Sequence, residues 1–418
     1  MDILTETQAE KYVRGVCFKT GPPGRVGLEL EWLVHDRADR TRPVPAARLD
    51  AALTALESAG GLPHRSRITR EPGGQIELST GSAAALADCV RSAAVDLDAL
   101  RDTLSRAGLE LTGRGLDPDR DPARLLDHPR YRAMEQHFDG LGPWGRMMMR
   151  ATASVQINLD SGEDTDGVTG YRRRWALAHR IGPVLVAAFA NSPLWHGRPT
   201  GWRSTRQRVW ANADPDRTRP PESAPDPRGS WARYALDAPL LCLRRTPPGS
   251  WAAPRGLTFR SWLRGDAAER PPTLDDLDYH LTTLFPPVRA RGWLELRMVD
   301  AQDGDDWIVP AVLAATLLDD PAAAGAAWDA TAPLCPDGGD QPSAEMWLRA
   351  ARLGPADPEI GKAARICFAA AATALAGSGS NGEGDGDGRL RGTLAAFAER
   401  YTEQGRCPAD DLLEGLDR

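Results

Sequence analysis

Residues 25–34, RVGLELEWLV, set Val26, Leu28, Leu30 and Trp32 at one parity and Gly27, Glu29, Glu31 and Leu33 at the other. Side chains two residues apart in a strand share a face, so this segment reads as a strand with one apolar face and one face bearing paired carboxylates. The pattern recurs. In residues 149–160, MRATASVQINLD, Gln156 and Asn158 oppose Val155, Ile157 and Leu159; in residues 292–299, GWLELRMV, Glu295 and Arg297 oppose Leu294, Leu296 and Met298. Between them a short strand at 67–70 leads through Glu71-Pro72-Gly73-Gly74 into Gln75-Ile76-Glu77-Leu78-Ser79, hairpin punctuation that brings Glu71 and Glu77 alongside. The expected fold class is α+β: an antiparallel sheet with helices packed on its apolar face and ionised groups on the other.

Helical periodicity fills residues 45–57, 83–107, 128–138, 171–190, 231–243, 258–263 and 274–284. A short strand is expected at 109–113, residues 149–160 read as one strand, and nearly everything after Asp305 reads as helix. Residues 195–230 are rich in Pro and Arg with little periodicity and read as a long loop, functional or disordered. Residues 377–388, GSGSNGEGDGDG, read as a flexible linker; they lack the closing Glu of a calcium loop. No internal repeat divides the chain, so its 418 residues are expected to form one domain with a mostly helical part from residue 304.

Charge and composition remove several functions. The net charge is -7, and no basic stripe offers itself to nucleic acid. Of 51 Lys and Arg, the lysines are Lys11, Lys19 and Lys362, and there is no GxxxxGK[ST] loop; phosphate must be held by arginine and metal instead. Six dispersed cysteines without a CxxC pair read as reduced, buried thiols, not as a zinc site. No apolar run approaches the roughly 20 residues of a membrane span, and residues 1–19 lack a signal-peptide core. A cytoplasmic protein is expected, with no nucleic-acid or membrane partner and with a monomer as the working assumption.

Carboxylates brought within about 5 Å repel and raise one another's pKa unless cations sit between them. One strand of this kind is explained by a solvated face. Several strands whose polar positions are mostly Glu and amides are not. Oxygen donors without interleaved His or Cys suit magnesium and not zinc. His280, inside an apolar helical pattern, reads as a packed core histidine. Among the arginines 150, 203, 206, 208, 217 and 297, Arg297 stands out because it shares a face with Glu295 and is placed to neutralise charge on a transferring phosphoryl group.

The ordered set GLELEW, REPGGQIELS, MMMRATASVQINLD, FANSP, WRSTRQRVWANADPDRT and HLTTLFPPVRARGWLELRMVD resembles the plant-type glutamate-cysteine ligases, carboxylate-amine ligases with a glutamine-synthetase-like fold. GVCFKTGPPGRVGLELEW is similar in particular to the actinobacterial enzymes that serve ergothioneine synthesis. The resemblance implies ATP- and Mg2+-dependent ligation of the gamma-carboxylate of L-glutamate to the amine of L-cysteine through a gamma-glutamyl phosphate. It implies a metal-binding set of Glu29, Glu31, Glu71, Glu77, Gln156 and Glu295, nucleotide contacts from Asn158 and Arg297, and a grip on substrate glutamate from Arg206. Glu29, Glu295 and Arg297 are expected to be catalytic. Plant-type sequences read LEMRGADGG where this chain has LELRMVDAQ, so the turn after Arg297 departs from the pattern. A different amine acceptor, phosphoryl transfer to a guanidine, and a catalytically idle relative are the competing readings.

Overall fold

The alternation around Glu29 and Glu31 becomes an 11-residue strand, β1 (Val26–Asp36), in a computed structural model that describes residues 4–246, 249–266, 270–378 and 386–417. The other strands are β2 (Arg67–Arg70), β3 (Ile76–Ser79), β4 (Leu109–Thr112), β5 (Ser154–Asp160), β6 (Leu194–Trp195), β7 (Arg198–Pro199), β8 (Val288–Ala290) and β9 (Trp293–Asp300). Seven of them form one antiparallel sheet ordered β2-β3-β1-β5-β9-β8, with β4 also on β1; β6 and β7 form a separate hairpin. β3 and β5 flank the Glu29–Leu30 stretch of β1 on its two edges, and β4 pairs with the Leu33–Asp36 stretch beyond them.

Register converts the sequence alternation into a charged face. Glu31 lies opposite Glu77, Glu29 opposite Gln156, and Asn158 opposite Glu295. Like charges directly opposed across strands destabilise a sheet, so the Glu31–Glu77 pairing is a cost that burial elsewhere must offset. A bulge shifts the β5–β9 register between Val155 and Ile157, beside Arg297; such irregularities re-aim side chains next to functional sites.

The opposite face is dry. Leu28, Leu30, Ile157, Leu294 and Leu296 are fully buried under the helices Leu86–Arg106, Gly182–Ala188 and Ile308–Asp319. The last is apolar all round and buried from Val309 to Leu318, as a helix of that composition must be. Gly182 allows this layer to close, because a Cβ there would lie 1.9 Å from the Trp347 ring.

Several sequence expectations are corrected. Residues 149–160 are not one strand: the helix Trp144–Ala151 runs into them, Thr152 Oγ1 donates to the Met148 carbonyl at 2.6 Å, and β5 starts at Ser154. The expected loop 195–230 holds the helices Thr205–Ala213, Pro215–Thr218 and the start of Pro227–Asp237. Ser204 and Asp226 cap two of these, and Pro215 and Pro227 occupy first-turn positions, where a missing N–H is harmless. The 171–190 pattern splits into Tyr171–Arg180 and Gly182–Ala188. Strand β8 was not anticipated. The 377–388 segment is helical at both margins, in Pro358–Ser378 and Gly386–Arg400, and its residues 379–385 lie outside the described residues. Pro358–Gly377 is long and apolar enough to cross a membrane, contrary to the sequence reading; it packs against Ile308–Asp319, Pro321–Ala330 and Gly386–Arg400.

The helix Leu274–Leu281 leads to Thr282 and Phe285 of the site below, and Asp276 fixes its start. Asp276 accepts from Thr273 N and Oγ1 at 2.9 and 2.8 Å and from Arg270 at 2.6 and 2.9 Å. Burial pushes its pKa up, but the Arg270 guanidinium and the Thr273 donors outweigh this and hold it at about 2. A carboxyl lowered in the folded state stabilises above its unfolded pKa of about 4, and that contribution is lost as pH falls from there toward 2. Asp276→Asn is therefore expected to cost about 1–3 kcal/mol at pH 7, a gap that narrows below pH 4 in urea titrations; a gap independent of pH would contradict the assignment.

Candidate active site on the polar sheet face

The charged face floors a cavity of about 390 Å³. Glu29 and Glu31 of β1, Glu77 of β3, Gln156 of β5 and Arg297 of β9 line it, and Glu71 overhangs from the β2–β3 turn. Helix Pro129–Asp139 adds Arg130, Tyr131 and Met134, helix Trp144–Ala151 adds Met148 and Met149, and Arg289 and Arg291 enter from β8 and the turn after it. Trp210 and Phe285 complete an apolar wall with the methionines.

Hydrogen bonds hold these groups in place. Ser154 Oγ and Gln156 Nε2 each donate to Glu31 at 2.8 Å, Asn158 Nδ2 donates to Glu29 at 3.2 Å, and Ser79 Oγ donates to Glu77 at 2.9 Å. Arg297 donates to both Gln156 Oε1 and Glu295 Oε1. The turn bearing Glu71 is closed by Glu71 N to the Gln75 carbonyl at 2.9 Å, and Gln75 Nε2 reaches the Thr152 carbonyl at 2.9 Å. A Cβ on Gly73 would stand 1.9 Å from the Arg150 carbonyl oxygen. Gly73→Ala must therefore displace one backbone against the other, and it is expected to lower kcat/KM about 10- to 100-fold by misplacing Glu71; unchanged kinetics would show that the turn tolerates the shift.

The carboxylates divide into two kinds. Burial, reinforced by the neighbouring Glu295 and Glu77, raises Glu29 to about 7. Burial also raises Glu31 and Glu77, and it lifts Glu71 well above the usual range, with Glu31 and Glu77 adding to the effect. Glu295 goes the other way. Burial pushes it up, yet Arg289 and Arg297 bring it down to about 2. Arg289 grips it with two bonds, of 2.6 and 2.7 Å, across the β8–β9 pair.

Four under-compensated glutamates with an amide oxygen nearby are an oxygen-rich set that calls for divalent cations, and neither His nor Cys lines the cavity. The set fits magnesium. It is more open than expected: among the described residues, the group of three whose ligand atoms lie within 4.8 Å of one another is His35, Asp117 and Asp119, not the glutamates.

Other sequence-derived residues fall in different places. Glu295 is fully buried beneath the floor, with both oxygens taken by guanidinium groups. Asn158 lies in an adjoining cavity of about 330 Å³ that shares Glu29, where its Oδ1 accepts from the half-exposed Trp293 indole at 2.8 Å. Arg206 does not line the cavity: it is 2% exposed, donates to the Arg297 carbonyl at 2.9 Å, stands 3.9 Å from Asp300 through Nη1, and lies over the Trp210 ring. Its bond to the Arg297 carbonyl ties it to the backbone of β9. Asp300 and Gln302, past the departure from the plant-type pattern, are internal: Asp300 accepts from Asn191 N, Ser192 Oγ and Ser204 Oγ, and Gln302 donates to the Phe189 carbonyl. Arg150, Arg203 and Arg217 pair with Glu135, Asp410 and Asp214. His280 is buried, bonded to the Ala235 carbonyl at 2.7 Å and lowered to about 3 by burial, a core histidine as read. All six cysteines are free and buried.

Sequence reasoning missed Arg130, Arg289 and Arg291. The two-residue spacing of Arg289 and Arg291 is the signal that was available, in the segment whose strand went unrecognised.

An antiparallel sheet whose polar face joins clustered carboxylates to guanidinium groups, without a phosphate-binding glycine loop, defines an enzyme built to manage phosphate and carboxylate charge with metal. The profile of glutamate-cysteine ligase family 2 (GCS2) matches residues 25–416, and the chain belongs to that family. Glutamate--cysteine ligase EgtA of Mycobacterium tuberculosis (strain ATCC 25618 / H37Rv) is 38% identical over 99% of this chain and 90% of its own length. Its namesake in Mycolicibacterium smegmatis is 40% identical over 89% and 85%, and the chloroplastic glutamate--cysteine ligase of Brassica juncea 33% over 58% and 47%. Among solved structures, glutamate--cysteine ligase from Francisella tularensis in complex with AMP has a TM-score of 0.52 at 11% identity over 95% of this chain and 85% of that one. A bifunctional glutathione synthetase from Pasteurella multocida has a TM-score of 0.53 at 14% over 99% and 52%. These two likenesses establish the fold.

Proposed function

We propose that the chain ligates the gamma-carboxylate of L-glutamate to the amine of L-cysteine with cleavage of ATP to ADP and phosphate, giving gamma-glutamylcysteine for ergothioneine synthesis. The observation that carries this reading is near-full-length kinship to EgtA ligases in a chain whose sheet face sets four raised glutamates against arginines.

A carboxylate resists amines because oxide is a poor leaving group. Transfer of the γ-phosphoryl group to the glutamate carboxylate makes an acyl phosphate; the amine then attacks the acyl carbon, phosphate leaves, and the amine proton is lost. Glu29, Glu31, Glu71, Glu77 and Gln156, with Glu295 behind them, would hold magnesium. Magnesium in that place offsets the negative charge gathered by phosphates and carboxylates. Arg297, which lines the cavity while bonded to Gln156 and Glu295, is placed to steady the phosphoryl oxygens. Asn158 and Trp293, in the adjoining cavity, suit the nucleoside end of ATP. We assign the grip on substrate glutamate to the arginines that reach the cavity, with Arg206 as their support. The methionine and aromatic wall suits a small apolar acceptor side chain. Six buried, unpaired thiols accord with a reducing cytoplasm.

ADP release measured with glutamate and each common amino acid tests the acceptor: cysteine is expected to turn over fastest, and a rate no higher than with alanine or glycine would refute it. Ligation yields inorganic phosphate and a new amide, whereas phosphoryl transfer to a guanidine yields neither.

A further inference from the structure

The face that carries Glu29 and Glu31 holds a second cluster at the far end of β1. His35 lies four residues beyond Glu31, about 13 Å along the strand, and Leu33, packed with Ala153 and Ala301, separates the two. His35 is fully buried. Its Nδ1 is 3.0 Å from Thr112 Oγ1, which sets the ring, and its Nε2 has no hydrogen-bond partner. That nitrogen points between two carboxylates, 3.5 Å from Asp117 Oδ2 and 3.9 Å from Asp119 Oδ2.

We propose that His35, Asp117 and Asp119 form a second metal site, separate from the glutamate-lined cavity, for a divalent transition ion such as zinc. Three ligand atoms already lie within 4.8 Å of one another, and Asp117 Oδ2 also accepts Arg120 Nε and Nη2 at 3.0 and 2.8 Å, so an ion there shares that oxygen with the guanidinium. One imidazole nitrogen with two carboxylate oxygens selects zinc-like ions over magnesium. A ring nitrogen tied to a neighbour while the other faces the site is how metal-binding histidines are oriented. The local charge agrees: Asp117, Asp119 and Glu110 face Arg120 and Arg40, with Arg120 on Asp117 at 2.8 Å and Arg40 on Glu110 and Asp119 at 2.9 and 3.3 Å. Three acids against two bases leave one negative charge for a cation to balance.

The cluster sits where a metal would have leverage. Asp117 N bonds the Ala151 carbonyl at 2.8 Å, the Pro118 carbonyl receives Gly197 N from the β6–β7 hairpin at 2.8 Å, and Leu125 N holds the Pro72 carbonyl at 2.7 Å. An ion on Asp117 and Asp119 therefore pins the segment that supports the turn carrying Glu71. Its role is structural.

The test uses the metal-free full-length protein, loaded with zinc alone and dialysed against excess magnesium, with bound zinc counted by atomic emission and cobalt substitution read by its visible d–d absorption. The wild type and Glu71→Gln are expected to keep about one zinc, and His35→Ala and Asp119→Asn to bind it at least about tenfold more weakly and to lose the cobalt band. Far-UV circular dichroism checks folding; if His35→Ala is unfolded, Asp119→Asn, whose side chain is 27% exposed, decides. A wild type that keeps no zinc, or variants that keep as much as it does, overturn the site.

Discussion

Glu71→Gln is expected to lower kcat by about 10²-fold or more and to make the metal-free protein more stable, not less. Glu71 is pushed far from its ordinary pKa by burial and by Glu31 and Glu77. An amide of the same shape removes that repulsion, and a gain of about 1 kcal/mol is expected in urea unfolding. The same change removes a cation ligand, so the rise in Tm that magnesium gives the wild type should shrink. Opposite signs for stability and activity are the signature of a group kept for chemistry. A variant that is both active and destabilised would show that Glu71 serves the fold and not the cations.

Arg289→Met should have the largest effect on stability. Arg289 and Glu295 are direct partners across β8 and β9, with Arg289 7% exposed as a side chain and Glu295 fully buried. Removing one member of such a pair leaves an uncompensated buried charge, which costs about 3–5 kcal/mol. Removing both should cost less than removing one. The double variant Arg289→Met/Glu295→Met is expected to recover much of the loss while remaining inactive. A single variant that loses under about 1 kcal/mol would mean that Arg297 and Arg291 suffice to hold Glu295, and the pair would lose its status as an anchor.

The central sheet was legible because its strands state both faces in the sequence: Glu29 and Glu31 against Leu28 and Leu30 admit one arrangement. Placement of six site residues around one cavity followed from that parity and from the Glu71–Gly74 turn. What was not legible depended on three-dimensional context. Prolines at 215 and 227 looked like loop residues, but both stand at the first turn of a helix, the second capped by Asp226. Strand parity put Arg297 on the polar face, but only packing reveals that Arg206 is bonded to the backbone of β9 and does not line the cavity. Glu295 shares its residue type with Glu29 and differs only in its guanidinium neighbours, an interaction that β8 supplies and that its three residues announce too briefly.

The order of strands has one more result. The under-compensated glutamates come from β1, β3 and the turn before β3, while Arg289 and Arg297 come from β8 and β9, with β5 between. The carboxylates of the floor are thus concentrated on β1 and β3, while Arg289 and Arg297 stand on the far side of β5 and Arg67 marks the β2 edge. On the proposed reading, a zwitterionic guest would meet its anionic and cationic partners on different strands, so the sheet itself would help to set its heading.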